Sequence, residues 1–218
     1  MNTRHFRLAA GIFILIIAGC NMSVNKSIDI PDGKVVRHSL NSVNGGIDIG
    51  SDCRIKGNSR SVNGGIGVGR DSHVMNLETV NGWIEVSANV QVDGDIKSIN
   101  GGISCQRGVT ISHGIITING SVDLENTVVG KNISTYNGHV TLQDSSRVRG
   151  DIIVKGNQSK SSEIRRLKIQ VSNGSVVEGD IDVRADNVEV KVFVSNGGKV
   201  LGRVNNAELI DEDANEIQ

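Results

Sequence analysis

The chain has 218 residues, and 23 Lys plus Arg against 24 Asp plus Glu give a formal charge of −1 at pH 7. That balance argues against a nucleic-acid-binding surface, which needs clustered basic residues to displace counterions. With 27 glycines, one proline and aromatics at only 2% of residues, the composition argues against a core built on aromatic rings and for narrow coils filled by Val and Ile.

Residues 1–20 read as an address. Arg4 and Arg7 make a short basic start, Leu8 to Ile17 form an apolar run, and small residues end it. The run falls short of the ~20 apolar residues of a membrane-spanning helix and fits a cleaved export signal. Cleavage after residue 19 removes Arg4 and Arg7 and no acid, leaving 21 bases facing 24 acids. The string Ile17-Ala18-Gly19-Cys20 resembles the lipobox of bacterial lipoproteins. The resemblance implies cleavage before Cys20 and acylation of its thiol and new N-terminus. Asn21, in place of Asp, implies the outer membrane. Several acyl chains make such an anchor firm, since each buried CH₂ contributes about 0.8 kcal/mol. The expected division is a signal peptide over 1–19, a lipidated tether over 20–22, a repeat domain over 23–204 and an acidic tail over 205–218.

The repeat is explicit. Ser42-Val43-Asn44-Gly45-Gly46-Ile47-Asp48-Ile49 returns at Ser61, Thr79 and Ser98, more loosely at Thr117 and Thr135, and in degenerate form at Ser23. Its Asn residues stand at 25, 44, 63, 81, 100, 119 and 137, so the steps are 19, 19, 18, 19, 19 and 18. A fixed period of this size, without helix-period segments, predicts an all-β fold. The fold is a single-stranded parallel β-helix, or β-solenoid, with right-handed, roughly triangular coils of 18–19 residues. Eight to nine coils at ~4.8 Å each predict a rod on the order of 40 Å long.

Counted from each Asn, the columns at −1, +3, +5 and +11 are almost wholly β-branched or aliphatic, and all four are expected to face inward. Position +11 runs Val36, Ile55, Val74, Val92, Ile111, Gly130 and Val148. Corners are expected at +1, at +8 and at +13, because Gly, Asn and, less often, His tolerate positive φ. Position +1 is Gly in six of seven copies, and +13 reads His38, Gly57, Asn76, Gly94, His113, Asn132 and Gly150. A polar stretch at about 156–166 reads as an insertion. The pattern is expected to resume at Leu167 to Gly174 and again at Val194 to Gly198, before an acidic, fraying end.

These strings resemble the adhesin-type β-solenoid domains of bacterial envelope proteins over residues 23 to about 200, and more distantly the bactofilins. The first resemblance implies an envelope module and the second a self-assembling scaffold.

Seven features invite chemistry. The Asn column can form a hydrogen-bonded ladder along the axis, and because every coil keeps it the reading is structural. Gly65-Ile66-Gly67-Val68-Gly69 mimics a dinucleotide loop but does not lead into a helix. Gly45 to Gly50 mimics a calcium nonapeptide, yet the acid Asp48 stands at the fourth place and not the sixth. Val62, Val68, Val74, Val80, Val86 and Val92 keep the hexad spacing of hexapeptide acyltransferases, but His38, His73, His113 and His139 share no column. The acids Asp48, Glu85 and Asp123 fall on alternate coils, ~10 Å apart, wider than a glycosidase pair. Trp83 stands where other coils carry Gly, Ser or His, so it reads either as an exposed partner contact or as a lid over a neighbouring coil. Cys53 and Cys105 lie three coils apart, ~14 Å along the axis, too far for a disulfide, and Cys105 is expected to be the slower to alkylate.

The expected function is non-enzymatic, with no cofactor and no metal. It is a lipid-anchored rigid surface for adhesion or protein binding, its partner an envelope protein or glycan. A self-assembling scaffold that stacks end to end is the alternative, and a carbohydrate-active enzyme a minor one.

Overall fold

Among the described residues each strand pairs in parallel with the strands one coil before and after it, and in no other way. A computed structural model describes residues 22–156 and 164–215. The export signal, Cys20 and most of the proposed insertion lie outside the described residues. Three sheets run the length of the rod: ten strands in sheet A, ten in sheet B and nine in sheet C. One full coil is Ser59–Asn63 in sheet A, Ile66–Val68 in sheet B and His73–Val74 in sheet C. About nine such turns make a parallel β-solenoid. Like stacks on like because the register is tight: Leu77 pairs with Ile96 and Asn81 with Asn100 in sheet A, and Ile84 with Ile103 in sheet B.

Ile and Val fill the bore. The +3 column, with Ile47, Ile66, Ile84 and Ile103, and the +5 column, with Ile49, Val68, Val86 and Cys105, are all buried. Burying each Ile or Val side chain contributes about 1.5–3 kcal/mol, and the stacked rows share that gain along the rod. Cys53 and Cys105 are free thiols, each 2% exposed.

Several expectations are corrected. The −1 column faces outward: in Ser59–Asn63 it is Ser59 and Ser61 that are buried, while Val62 is half-buried on the outer surface. The inward places go to Ser42, Ser61, Thr79, Ser98 and Thr117 at −2, whose neighbours Leu40, Leu77, Ile96 and Ile115 at −4 share that face. The hydroxyls are not wasted there. Ser61 and Thr79 donate to the Gly45 and Gly64 carbonyls of the preceding coil at 2.9 Å, satisfying groups that burial would otherwise orphan.

The second correction concerns the corners. Gly45, Gly64, Gly82, Gly101 and Gly120 do not have positive φ; a Cβ on any of them would overlap the backbone of the coil before it. Nor does any residue of the +13 set have positive φ; it falls at the +8 corner, at Gly33 (φ 70), Asp52 (φ 56), Asp71 (φ 58), Asn89 (φ 60) and Gly108 (φ 77), and in the first coil also at Asn25 (φ 59). The third is a slip of register in the 18-residue coils. Val129, not Gly130, stacks between Ile111 and Val148. Asn76 and Asn132 likewise leave the +13 set and join Asn58, Asp95 and Asp151 one column on.

Fourth, the C-terminal Ser-Asn-Gly strings sit at a different corner. Ile169 and Val171 pair with Val140 and Leu142 in sheet B, so Asn173 stacks on Asp144 after that sheet. The stretch expected as an insertion narrows, since sheet A holds Ile152–Lys155 and sheet B resumes at Arg165. Nor do residues 205–215 form a frayed tail. Glu208–Asp211 pairs with the strand Val188–Ser195, and the turn of helix Glu212–Asn215 brings the Asp213 carboxylate to the Asn196 and Gly197 N–H groups at 2.6 and 2.8 Å.

Candidate functional site

The repeat Ser/Thr-Val-Asn-Gly builds one corner of the rod, where sheet A turns into sheet B. Its Ser or Thr hydroxyl points in, its Val or Ile points out, and its Gly lets two backbones meet. Between them the Asn side chains form a continuous ladder. Asn44 donates Nδ2 to Asn25 Oδ1, and Asn63, Asn81, Asn100, Asn119 and Asn137 each do the same to the Asn before, at 2.6–2.8 Å. In the next coil Arg165 takes over, donating to Asn137 and, through Nη2, to Asn187. The Asn column is thus a strut in which each amide's oxygen and nitrogen are both used.

On the sheet A side of this strut lies an outward apolar row, Val43, Val62, Val80, Ile99 and Ile118, with Ile116 beside it. Val80, Ile99 and Ile118 of this row, with Ile116, form one wall of a groove of about 250 Å³. Ions form the other wall: Arg60 donates twice to Glu78 Oε2, at 2.6 and 3.0 Å, and Lys97 lies 3.2 Å from Asp95 and 3.8 Å from Glu78. Burial works to raise the Asp95 pKa, but the Gly114 N–H and the Lys97 and His113 charges outweigh it and hold the carboxyl below its ordinary value.

On the sheet B side stands Trp83, 53% exposed. Its ring lies over Gly65 of the preceding coil, where a Cβ would meet Cε2 at 3.0 Å. One face of the indole therefore covers a neighbouring coil, as the lid reading expected, and the rest is open to solvent. The surrounding places on sheet B are Gly46, Gly67, Gly102 and Ser104, with the outward Glu85 two residues on, so the indole rises from a floor of mostly small residues.

Residues that could have carried catalysis are not gathered. Asp48, Glu85 and Asp123 lie in one outward row of sheet B, separated by Gly67 and Ser104. The register adds a neighbour that repeat counting passed over, Asp29 beside Asp48, on the same open face. His73 contacts Asp93 at 2.5 Å on sheet C, His139 accepts the Lys168 N–H on sheet B, and His38 and His113 stand at the corner between C and A. Among the described residues no three His, Cys, Asp or Glu side chains stand close enough to hold a metal ion.

Sequence reasoning missed a second ladder at the corner between sheets C and A. Asn76, Asp95, Asn132, Asp151 and Asp180 each accept the backbone N–H of the next coil at 2.8–3.1 Å. The signal was present as Asn58, Asn76 and Asp95, but the 18-residue coils split it between two columns.

Fold and surface together define the class: a parallel β-solenoid with an apolar outer groove on sheet A and hydrogen-bonded side-chain ladders at two of its corners. Comparison with protein-family models, with curated proteins and with solved structures found no match to this chain.

Proposed function

We propose that the protein is an exported lipoprotein, anchored through Cys20 in the outer membrane. Its solenoid serves as a rigid, non-catalytic binding module of the cell envelope, similar in role to the adhesin-type domains its repeats resemble. The contact surface is the outer face of sheet A with Trp83 across the Asn strut, and the partner is an envelope protein or glycan. One observation carries this reading: the apolar row from Val43 to Ile118 faces solvent through five successive coils. Outward β-branched side chains on a sheet whose bore is already filled add nothing to that core, whereas an apolar strip rimmed by ions is the usual make-up of a contact site.

A photo-crosslinking residue at Ile99 of the full-length protein in intact envelopes tests it. A discrete adduct from Ile99, absent from the outward Thr110 of sheet C, is the expected result. Absence of any adduct from Ile99, Val80 and Trp83 would overturn the surface assignment. Lipidation is tested separately by fatty-acid labelling, which must vanish in Cys20→Ser.

End-to-end self-association keeps support from the terminal coils, where Val24 (52% exposed) and Val35 (58%) at one end face Leu201 (63%) and Leu209 (52%) at the other. Against it, the helical turn Glu212–Asn215 packs on the last coils of sheet B. Sedimentation of the acyl-free protein distinguishes the two readings: filaments favour stacking, and a monomer favours the binding module.

A further inference from the structure

The three faces of the rod differ in charge. On sheet B the outward places hold Asp29, Asp48, Glu85 and Asp123, and only near the far end Arg166, Lys168 and Lys191, beside Glu189 and Glu208. Sheet C is the reverse. Its outward places, in the strands or directly after them, carry Arg37, Arg54, Lys56, Arg147, Arg149 and Lys199, against the acids Asp93 and Glu178. All six bases are exposed. Arg147 pairs with Glu178 at 2.6 Å, while the other five make no ion pair among the described residues. Asp93 is engaged by His73 and Gln91. Acids do border this face. Asp52, Asp71 and Asp144 stand at its sheet B edge. Asp95, Asp151 and Asp180 stand at its sheet A edge, each with one oxygen turned onto a backbone N–H of the next coil. Exposed cations in the middle of an open face, held on strands and left without partners, are available to an anionic surface.

The start of the chain points to which surface. The strand Met22–Ser23 opens sheet A and pairs with Asn41–Ser42, just past the corner where sheet C turns into sheet A. Only Asn21 separates Met22 from Cys20. An acyl anchor at Cys20 therefore leaves no slack to hold the rod clear of the bilayer, and the nearest bases to it on sheet C are Arg37, Arg54 and Lys56.

We infer that sheet C lies against the anionic phospholipid headgroups of the membrane in which Cys20 is anchored, so that the rod rests along the bilayer. In a three-sheet coil the corner opposite sheet C is the one between A and B. Docking by sheet C turns the Asn strut, the apolar groove and Trp83 away from the lipid and toward a partner. This inference rests on the lipid-anchor reading above and adds an orientation to it.

Amine acetylation read by mass spectrometry tests the orientation. The acylated full-length protein is reconstituted in vesicles of phosphatidylcholine alone and of phosphatidylcholine with phosphatidylglycerol. In the anionic vesicles Lys56 and Lys199 of sheet C should react several-fold more slowly, while Lys168 and Lys191 of sheet B keep their rates. Added salt should erase the difference, because exposed charges are screened within about a Debye length of 10 Å at 0.1 M. Arg54→Glu with Lys56→Glu should release Lys199 as well, a remote readout that local unfolding of the second coil would not produce if the far lysines keep their rates. Equal rates for Lys56 and Lys199 in both vesicles, or slowing of Lys168 and Lys191 instead, overturns the inference. Should Cys20 prove unacylated, the anchor reading fails by itself. The same footprint is then read on protein coupled through Cys20 to a maleimide lipid, with Cys53 and Cys105 protected by burial.

Discussion

Replacement of Gly101 separates two reasons for a glycine at a solenoid corner. Gly101 does not have positive φ, and a Cβ there would overlap the Gly82 carbonyl, a backbone group that no rotamer change can move aside. The displaced segment also carries the Gly82 N–H bond to Asn100 O (3.1 Å) and the Gly101 N–H bond to Asn119 O (2.9 Å). Overpacking of this kind costs roughly 1–3 kcal/mol. Alanine recovers roughly 0.4–1 kcal/mol by restricting the unfolded chain. The expected net loss for Gly101→Ala is then about 1–2 kcal/mol, and for Gly101→Val more, since the γ carbons meet the same wall. Gly197 differs in kind, with φ +74 and nothing within 4 Å of an added Cβ. Left-handed backbone costs a non-glycine residue roughly 1–2 kcal/mol, so the net loss for Gly197→Ala is smaller, about 1 kcal/mol or less. Asparagine distinguishes the mechanisms because it tolerates positive φ but still has a Cβ. Gly197→Asn should recover most of the loss seen with alanine, and Gly101→Asn none. Urea denaturation followed by far-UV circular dichroism measures all five variants. Recovery of stability in Gly101→Asn would refute the close-approach account and return the corner to a φ requirement.

Asn100→Ala removes two ladder bonds at an exposed edge and should cost about 1–2 kcal/mol in the same assay. Asn100→Asp should cost more at neutral pH, because a carboxylate then faces the Asn81 oxygen with no N–H to give, and the excess should disappear in acid. Asp95→Asn keeps the acceptor for the Gly114 N–H and loses only the charge beside Lys97. Since the folded pKa of Asp95 lies below its ordinary 3.8, the wild type's advantage is present above that value and lost as pH falls through the folded one. Melting temperatures of the two proteins should therefore differ at pH 7 and converge in strong acid. Burial pushes the Cys105 thiol up to about 12, and Cys53 is equally enclosed with Sγ 3.2 Å from the Pro31 carbonyl oxygen. Neither should alkylate in the native state at pH 8, and mass spectrometry of unreduced protein should find no Cys53–Cys105 peptide.

By itself the sequence determined the class of fold, the coil length, the stacking of like on like, and the absence of a Cys53–Cys105 bond. Each follows from the period alone: residues about 19 apart must lie one strand spacing apart, so the Asn row and the Ile rows at +3 and +5 could be read directly. What only the tertiary structure decided is which side of sheet A faces the bore. A strand alternates strictly, so Ser61 and Val62 cannot both point inward, and hydropathy favours Val62. The parity is set instead by Leu77, Ile96 and Ile115 two places earlier and by the bend at the Asn, which put Ser and Thr inside, where carbonyls of the preceding coil accept their hydroxyls. The glycine corners were legible as corners, but their cause was not, because contact between two backbones about 4.8 Å apart is a property of stacked coils that no single repeat contains. The outward groove of sheet A follows from the same parity. A residue's face is decided by its neighbours across the bore, and those lie in other strands.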